Sequence, residues 1–172
     1  MYISDLTANK ESFKTIHCLP NDINIILGTK GENGKSNISE TVNGVGKTLS
    51  IKLIDYCLGS RQDTHKEISK LSGWEFELIL VNEKQTYQVR RNVETGKIYL
   101  NNKDMKVSKF TDILAIEVFK HTEDFPYVSF RSLISRYLRI PKHAYLSWEK
   151  YKAREDESIS LLLNAYLVKL KL

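Results

Sequence analysis

The hexapeptide Asn43-Gly-Val-Gly-Lys-Thr48 runs without a break into an apolar helical pattern from Leu49 to Leu58. Few short segments constrain a chain so tightly. Paired glycines let backbone N–H groups turn inward on an anion, a lysine reaches the β- and γ-phosphates, and a threonine hydroxyl ligates Mg²⁺. The helix behind them adds the positive end of its dipole. That helix is predicted from Gly46 to Leu58, with Gly59 as its C-terminal cap. Its apolar positions 49, 53, 56 and 57, with 51, 54 and 58, cover two faces, so it should be buried against a sheet. One position departs from the full pattern: Thr41 stands where the first glycine belongs.

A second segment competes for the same role. Residues 29–36, Thr-Lys-Gly-Glu-Asn-Gly-Lys-Ser, end in a similar triplet and follow the apolar run Ile23–Leu27. A phosphate loop needs a strand before it and a helix after it, and a polar, glycine-rich insertion over 29–42 has separated the two. The helix decides between them. Lys35 has no helix of useful length behind it, whereas Lys47 opens one, so Lys47 is the expected phosphate ligand. Thr48 is the expected Mg²⁺ ligand, and the backbone of Asn43, Gly44, Val45 and Gly46 the expected cradle.

Around this motif the chain predicts an α+β protein. Strands are expected at Met1–Leu6, Phe13–Cys18 and Asp22–Gly28, the last a buried strand because Ile23–Leu27 is apolar apart from Asn24. Trp74–Val81 alternates Trp, Phe, Leu, Leu against Glu, Glu, Ile, Val, and Thr86–Asn92 and Lys97–Leu100 follow across short polar turns. These three read as an antiparallel meander with one solvated face. Ile113–Glu117 belongs to a core element. Phe130, Leu133, Ile134, Tyr137 and Leu138 form an amphipathic helical stripe, with Arg131, Arg136 and Arg139 on its flank and far side. A last apolar helix is expected from Ser158 to Leu172.

Composition adds little beyond exclusions. At 41% hydrophobic and 27% charged over 172 residues, the chain is ordinary for a globular protein inside a cell. No signal peptide and no apolar run of about 18 residues is visible, so no membrane role is expected. Cys18 and Cys57 sit in apolar runs and read as small reduced hydrophobes, with a disulfide the less favoured alternative in a cytosolic setting. The four histidines and two cysteines have no metal-ligand spacing. A net charge of +5 mildly favours anionic partners.

Ile23-Asn-Ile-Ile-Leu-Gly28, Asn43-Gly-Val-Gly-Lys-Thr48 and Ile51-Lys-Leu-Ile-Asp-Tyr-Cys-Leu-Gly59 together resemble the N-terminal lobe of SMC/RecN-like ABC ATPases. The likeness is greatest to a bacterial coiled-coil subfamily that carries a polar insertion before Asn-Gly-Val-Gly-Lys and ends in a domain of unknown function. Tyr87-Gln-Val-Arg-Arg91, followed by Lys97-Ile-Tyr-Leu-Asn-Asn-Lys103, resembles that family's antiparallel β-subdomain. Phe13-Lys14 resembles its first hairpin, which implies that Lys14 approaches the phosphates.

The resemblance implies a P-loop core over 1–72 with a mixed sheet and a buried P-loop helix, an antiparallel β-subdomain over 73–106, and helices over 107–172. It implies ATP and Mg²⁺ as ligands and a C-terminal ATPase lobe as partner, in the same or a separate chain. It further implies a homodimer of heads on ATP, DNA as a possible further partner, and a bacterial cytoplasmic role in DNA repair, maintenance or defence. No Ser-Gly-Gly signature occurs, and no apolar run ends in Asp-Glu. The chain is therefore expected to bind ATP and not to hydrolyse it alone.

Two other readings compete. A self-contained P-loop kinase or GTPase would need doubly wound βα units. A non-enzymatic nucleic-acid module would use Lys142–Arg154, where basic residues interleave with Tyr145, Trp148 and Tyr151. The plainer reading of that segment, and of Arg131, Arg136 and Arg139, is a solvated helix side.

Overall fold

The computed structural model describes residues 1–26, 46–121, 125–140, 151 and 155–169. Six strands form one sheet: β1 (Tyr2–Ala8), β2 (Ile16–His17), β3 (Glu75–Val81), β4 (Thr86–Asn92), β5 (Ile98–Leu100) and β6 (Lys103–Met105). Their order is β2-β1-β3-β4-β5-β6, and every pairing is antiparallel. Four α-helices are described: α1 (Lys47–Cys57), α2 (Val107–Phe119), α3 (Phe130–Ile134) and α4 (Glu157–Leu167).

Period-two alternation builds the sheet's inner face. Phe76, Leu78 and Leu80 of β3 lie opposite Arg91, Val89 and Tyr87 of β4, and all six are buried. Ile98 and Leu100 of β5 extend the same face. In β1 a bulge at Ser4 resets the register. Ile3 pairs with Leu80 and Leu6 with Leu78, so two residues three apart reach one face. The outer face is polar, as expected for the meander. There Gln88 Nε2 donates to Glu77 at 2.8 Å, and the Arg90 guanidinium lies 5.3 Å from the Tyr99 ring centre. Leu53, Tyr56 and Cys57 of α1 and Phe110 and Leu114 of α2 cover the inner face and close a single main core. Val128, Leu133 and Leu163 form a smaller cluster between α3 and α4.

The strand expected at Asp22–Gly28 is corrected. Residues 22–26 are described and form no strand, and Ile23 is 85% exposed. Side chains have taken the backbone groups a ladder would need. Asn24 Oδ1 accepts from the Leu19 amide at 2.8 Å, Asn24 Nδ2 donates to the Leu19 carbonyl at 3.0 Å, and Asp22 Oδ1 accepts from the Ile23 amide at 2.7 Å. The mixed sheet is corrected with it, since the described sheet is antiparallel throughout. The strand expected at Phe13–Cys18 contracts to Ile16–His17.

The helices were only partly foreseen. Ile113–Glu117 belongs to α2, whose Val107, Thr111, Ile113, Ile116 and Val118 are β-branched and suit a strand as well as a helix. The stripe from Phe130 is α-helical only to Ile134. Beyond it the Arg136 and Tyr137 amides bond to the Leu133 and Ile134 carbonyls in tighter, three-residue turns. Asp156 caps α4, accepting from the Ser158 and Ile159 amides.

Candidate functional site

Gly46, Lys47 and Thr48 of the glycine-rich motif form the N-terminal junction of α1. Gly46 is left-handed, with φ +82°, and the helix begins at Lys47. A Cβ on Gly46 would meet nothing within 4 Å, so backbone conformation alone calls for glycine there. Its carbonyl accepts from the Ser50 amide at 2.9 Å and from Ser50 Oγ at 3.2 Å. Gly46 carries no side chain to cap the helix, and the first turn holds no acidic residue. The leading N–H groups and the positive end of the dipole are thus unopposed by a carboxylate from the helix itself.

Lys47 is half-buried and Thr48 exposed. Lys14 is exposed in the segment that enters β2 at the sheet edge. Asn43, Gly44 and Val45 lie outside the described residues, as do Lys35 and most of Lys142–Arg154. Among the described residues no three His, Cys, Asp or Glu side chains gather to hold a metal, and no helix is long and apolar enough to cross a membrane.

The far end of α1 is anchored with unusual force. Gly59 adopts φ +93° and its amide donates to the Tyr56 carbonyl at 3.0 Å, the C-terminal role expected of it. The exposed carbonyls of the last turn are then met by arginines from distant elements. Arg91, 3% exposed on the inner face of β4, donates to the carbonyls of Tyr56 and, at 2.7 Å, Ser60. Its guanidinium lies 3.9 Å from the Tyr56 ring centre, and Tyr56 Oη donates to the Asn92 carbonyl at 2.9 Å. Arg131 of α3 donates to the Leu58 carbonyl at 3.2 Å. Two cations therefore face the negative pole of the helix.

Asp55 links these parts. It is 3% exposed, and its two oxygens meet His65 Nε2 at 2.7 Å and Arg131 Nη2 at 2.6 Å. Burial works against its ionisation, but the hydrogen bond from His65 and the Arg131 guanidinium outweigh that and hold its carboxyl below the usual range. Burial pushes the Cys57 thiol up to about 12, so it stays protonated. Arg136, with 6% of its side chain exposed, makes two bonds to Glu155, at 2.8 and 3.0 Å. The solvated helix side expected for Arg131 and Arg136 is thereby overturned for both.

Sequence reasoning missed Asp55, His65 and Glu155, and with them the buried partners of Arg131 and Arg136. No spacing rule joins residues 55, 65 and 131. Arg91 was detectable in principle, because Tyr87, Val89 and Arg91 share one face of a strand whose other members are apolar.

No protein-family model matches this chain, no curated protein matches it, and no solved structure matches it.

Proposed function

We propose that the chain is the ATP-binding N-terminal lobe of an SMC/RecN-like ABC ATPase, and that it binds Mg-ATP at Asn43–Thr48. The observation that carries this reading is the junction at Gly46 and Lys47: a left-handed glycine, then a helix starting on the lysine, with no acid in its first turn. Such a junction aims successive N–H groups and a lysine at one point, which is the chemistry a polyphosphate requires. Lys47 would hold the β- and γ-phosphates, Thr48 would ligate Mg²⁺, and the backbone of Asn43, Gly44, Val45 and Gly46 would cradle the chain of phosphates. Lys14 would add charge from the first hairpin.

The residues fit ATP binding better than ATP hydrolysis. Hydrolysis needs a positioned water and charge neutralisation from several directions. A C-terminal ATPase lobe and a second head would supply them, with DNA as the polymer served. The antiparallel sheet speaks against a doubly wound kinase or GTPase, and it supplies no described strand directly ahead of the loop, so the ATPase reading rests on the loop–helix junction and not on the sheet. Arg131 and Arg136 are engaged in ion pairs, so the nucleic-acid reading gains nothing from them.

Calorimetric titration with Mg-ATP tests the reading. Lys47→Ala should abolish binding and Lys35→Ala should leave it intact; the reverse pattern refutes the choice of loop. Hydrolysis should be absent for the chain alone, and robust turnover without a partner would refute the half-site reading.

A further inference from the structure

A cavity of about 530 Å³ opens beside the C-terminal end of α1, walled by α1, α3, α4 and the segment after Gly59. Asp55 is eight residues along the helix from Lys47, about 12 Å away at 1.5 Å per residue. The cavity is thus apart from Lys47 and the N-terminus of α1.

The hydrogen-bonding groups of its wall indicate what it would take. Its two carboxylates are each held by an arginine. Asp55 bonds His65 and Arg131, and Glu155 accepts twice from Arg136 and once from the Tyr151 amide at 2.8 Å. Its donors are not fully used. Arg131 uses two of its five N–H groups, on Asp55 and on the Leu58 carbonyl. Ser60, on the wall and 3% exposed, has a buried Oγ with no hydrogen-bond partner. Tyr151 also lines the wall, and its phenol takes part in none of the described hydrogen bonds. Burial and the nearby Asp55 charge raise the Tyr151 pKa, so the phenol keeps its proton and can donate. Arg61 at the mouth is tied only to exposed Asp63, a surface pair that competes weakly.

Buried ion pairs are costly to assemble, and a wall with engaged acceptors and idle donors calls for an acceptor-rich anion. The free N–H groups of Arg131 lie on different edges of its planar fork, so only some can face one ligand; with hydroxyls from two other segments, the tetrahedral oxygens of a phosphate suit them better than the two coplanar oxygens of a carboxylate. The rim suggests the rest of the ligand. Tyr127 lines the cavity, is 69% exposed and is held at φ +66°, a conformation uncommon for an aromatic residue. Its ring is a free stacking surface.

We propose that this cavity is a second binding site, for a small organic phosphate ester carrying a ring, with Arg131, Ser60 and Tyr151 on the phosphate and Tyr127 on the ring. The site is independent of the Lys47 loop. It is tested on the chain carrying Lys47→Ala, titrated calorimetrically with adenosine 5′-monophosphate, ribose 5-phosphate, adenosine and benzoate.

Both phosphates should bind with dissociation constants of about 1 mM or tighter, and adenosine and benzoate should not. Tyr127→Ala should remove the advantage of the adenosine phosphate over ribose 5-phosphate. Tyr151→Phe and Ser60→Ala leave every ion pair in place, and either or both should weaken phosphate binding by about 2- to 10-fold. The site is refuted if neither phosphate binds the Lys47→Ala chain, or if Tyr151→Phe and Ser60→Ala both leave binding unchanged. Benzoate binding in place of the phosphates refutes the ligand class.

Discussion

Asp55 ties α1 to α3 and to the segment carrying His65 through one buried carboxylate. With its carboxylate gone, the half-buried Arg131 guanidinium would lose its counter-charge and buried His65 its hydrogen-bond partner. Asp55→Ala should therefore cost about 3–5 kcal/mol, read from chemical denaturation at neutral pH. The pH dependence has a definite sign. Because the folded carboxyl titrates below its ordinary value of 3.8, its contribution is fully present above that value and is lost as pH falls through the folded pKa. Asp55→Asn should flatten the acid limb of the stability profile; an unchanged limb would show that other groups govern it.

Gly59 is constrained twice at the same scale. Its φ of +93° is strained for any other residue, and an added Cβ would lie 2.8 Å from Thr111 Cγ2. Gly59→Ala should cost about 1–3 kcal/mol. Adding Thr111→Ser should recover the part due to the methyl clash and leave the part due to φ, which a double-mutant cycle separates.

At the scale of elements, α1 is a helix open at one end and clamped at the other. Its first turn carries no capping side chain of its own and no acid, while its last turn meets Arg91, Arg131 and Gly59. This asymmetry suits a helix that presents its N-terminus to a ligand while its C-terminus stays fixed on the sheet. Arg91→Leu should leave the Tyr56 and Ser60 carbonyls without their donor and cost about 2–4 kcal/mol. Hydrogen exchange should speed up in the last turn of α1 before it does in β3; equal acceleration everywhere would argue against a local clamp.

α2 and α3 show why elements were harder to read than residues. β-Branched residues kept the pattern of α2 ambiguous. Beyond Ile134 the stripe of α3 continues in tighter turns, with Tyr137 62% exposed and Arg136 bonded to Glu155.

For the whole molecule, the inner face of a six-stranded antiparallel sheet, roofed by α1 and α2, is the stable body. β1, β3 and β4 are its long, central strands, with two-residue β2 and three-residue β6 at the edges. Amides of β3 and β4 should exchange slowest and those of β2 and β6 fastest, and protection of an edge strand equal to the centre would refute this order. Saturating Mg-ATP should raise the melting temperature of the chain and leave that of Lys47→Ala unchanged, because a ligand stabilises the state it binds by about 2.7 kcal/mol at a hundredfold excess over its dissociation constant.

What the sequence determined by itself was local. Alternation over Trp74–Asn92 settled two strands and their inner face, since side-chain direction in a strand depends only on parity. Asn43–Thr48 followed by an apolar period, and Gly59 at its close, settled where α1 begins and ends, since glycine and helix periodicity act within one turn. Tertiary structure decided everything that needs a distant partner. It left Ile23 and Ile25 exposed where apolarity promised burial. It also brought residues 55, 65, 91 and 131 together around the end of one helix. Buried charge is tolerable only where opposite charge or a bare carbonyl awaits it, and the chain announces neither until it has folded.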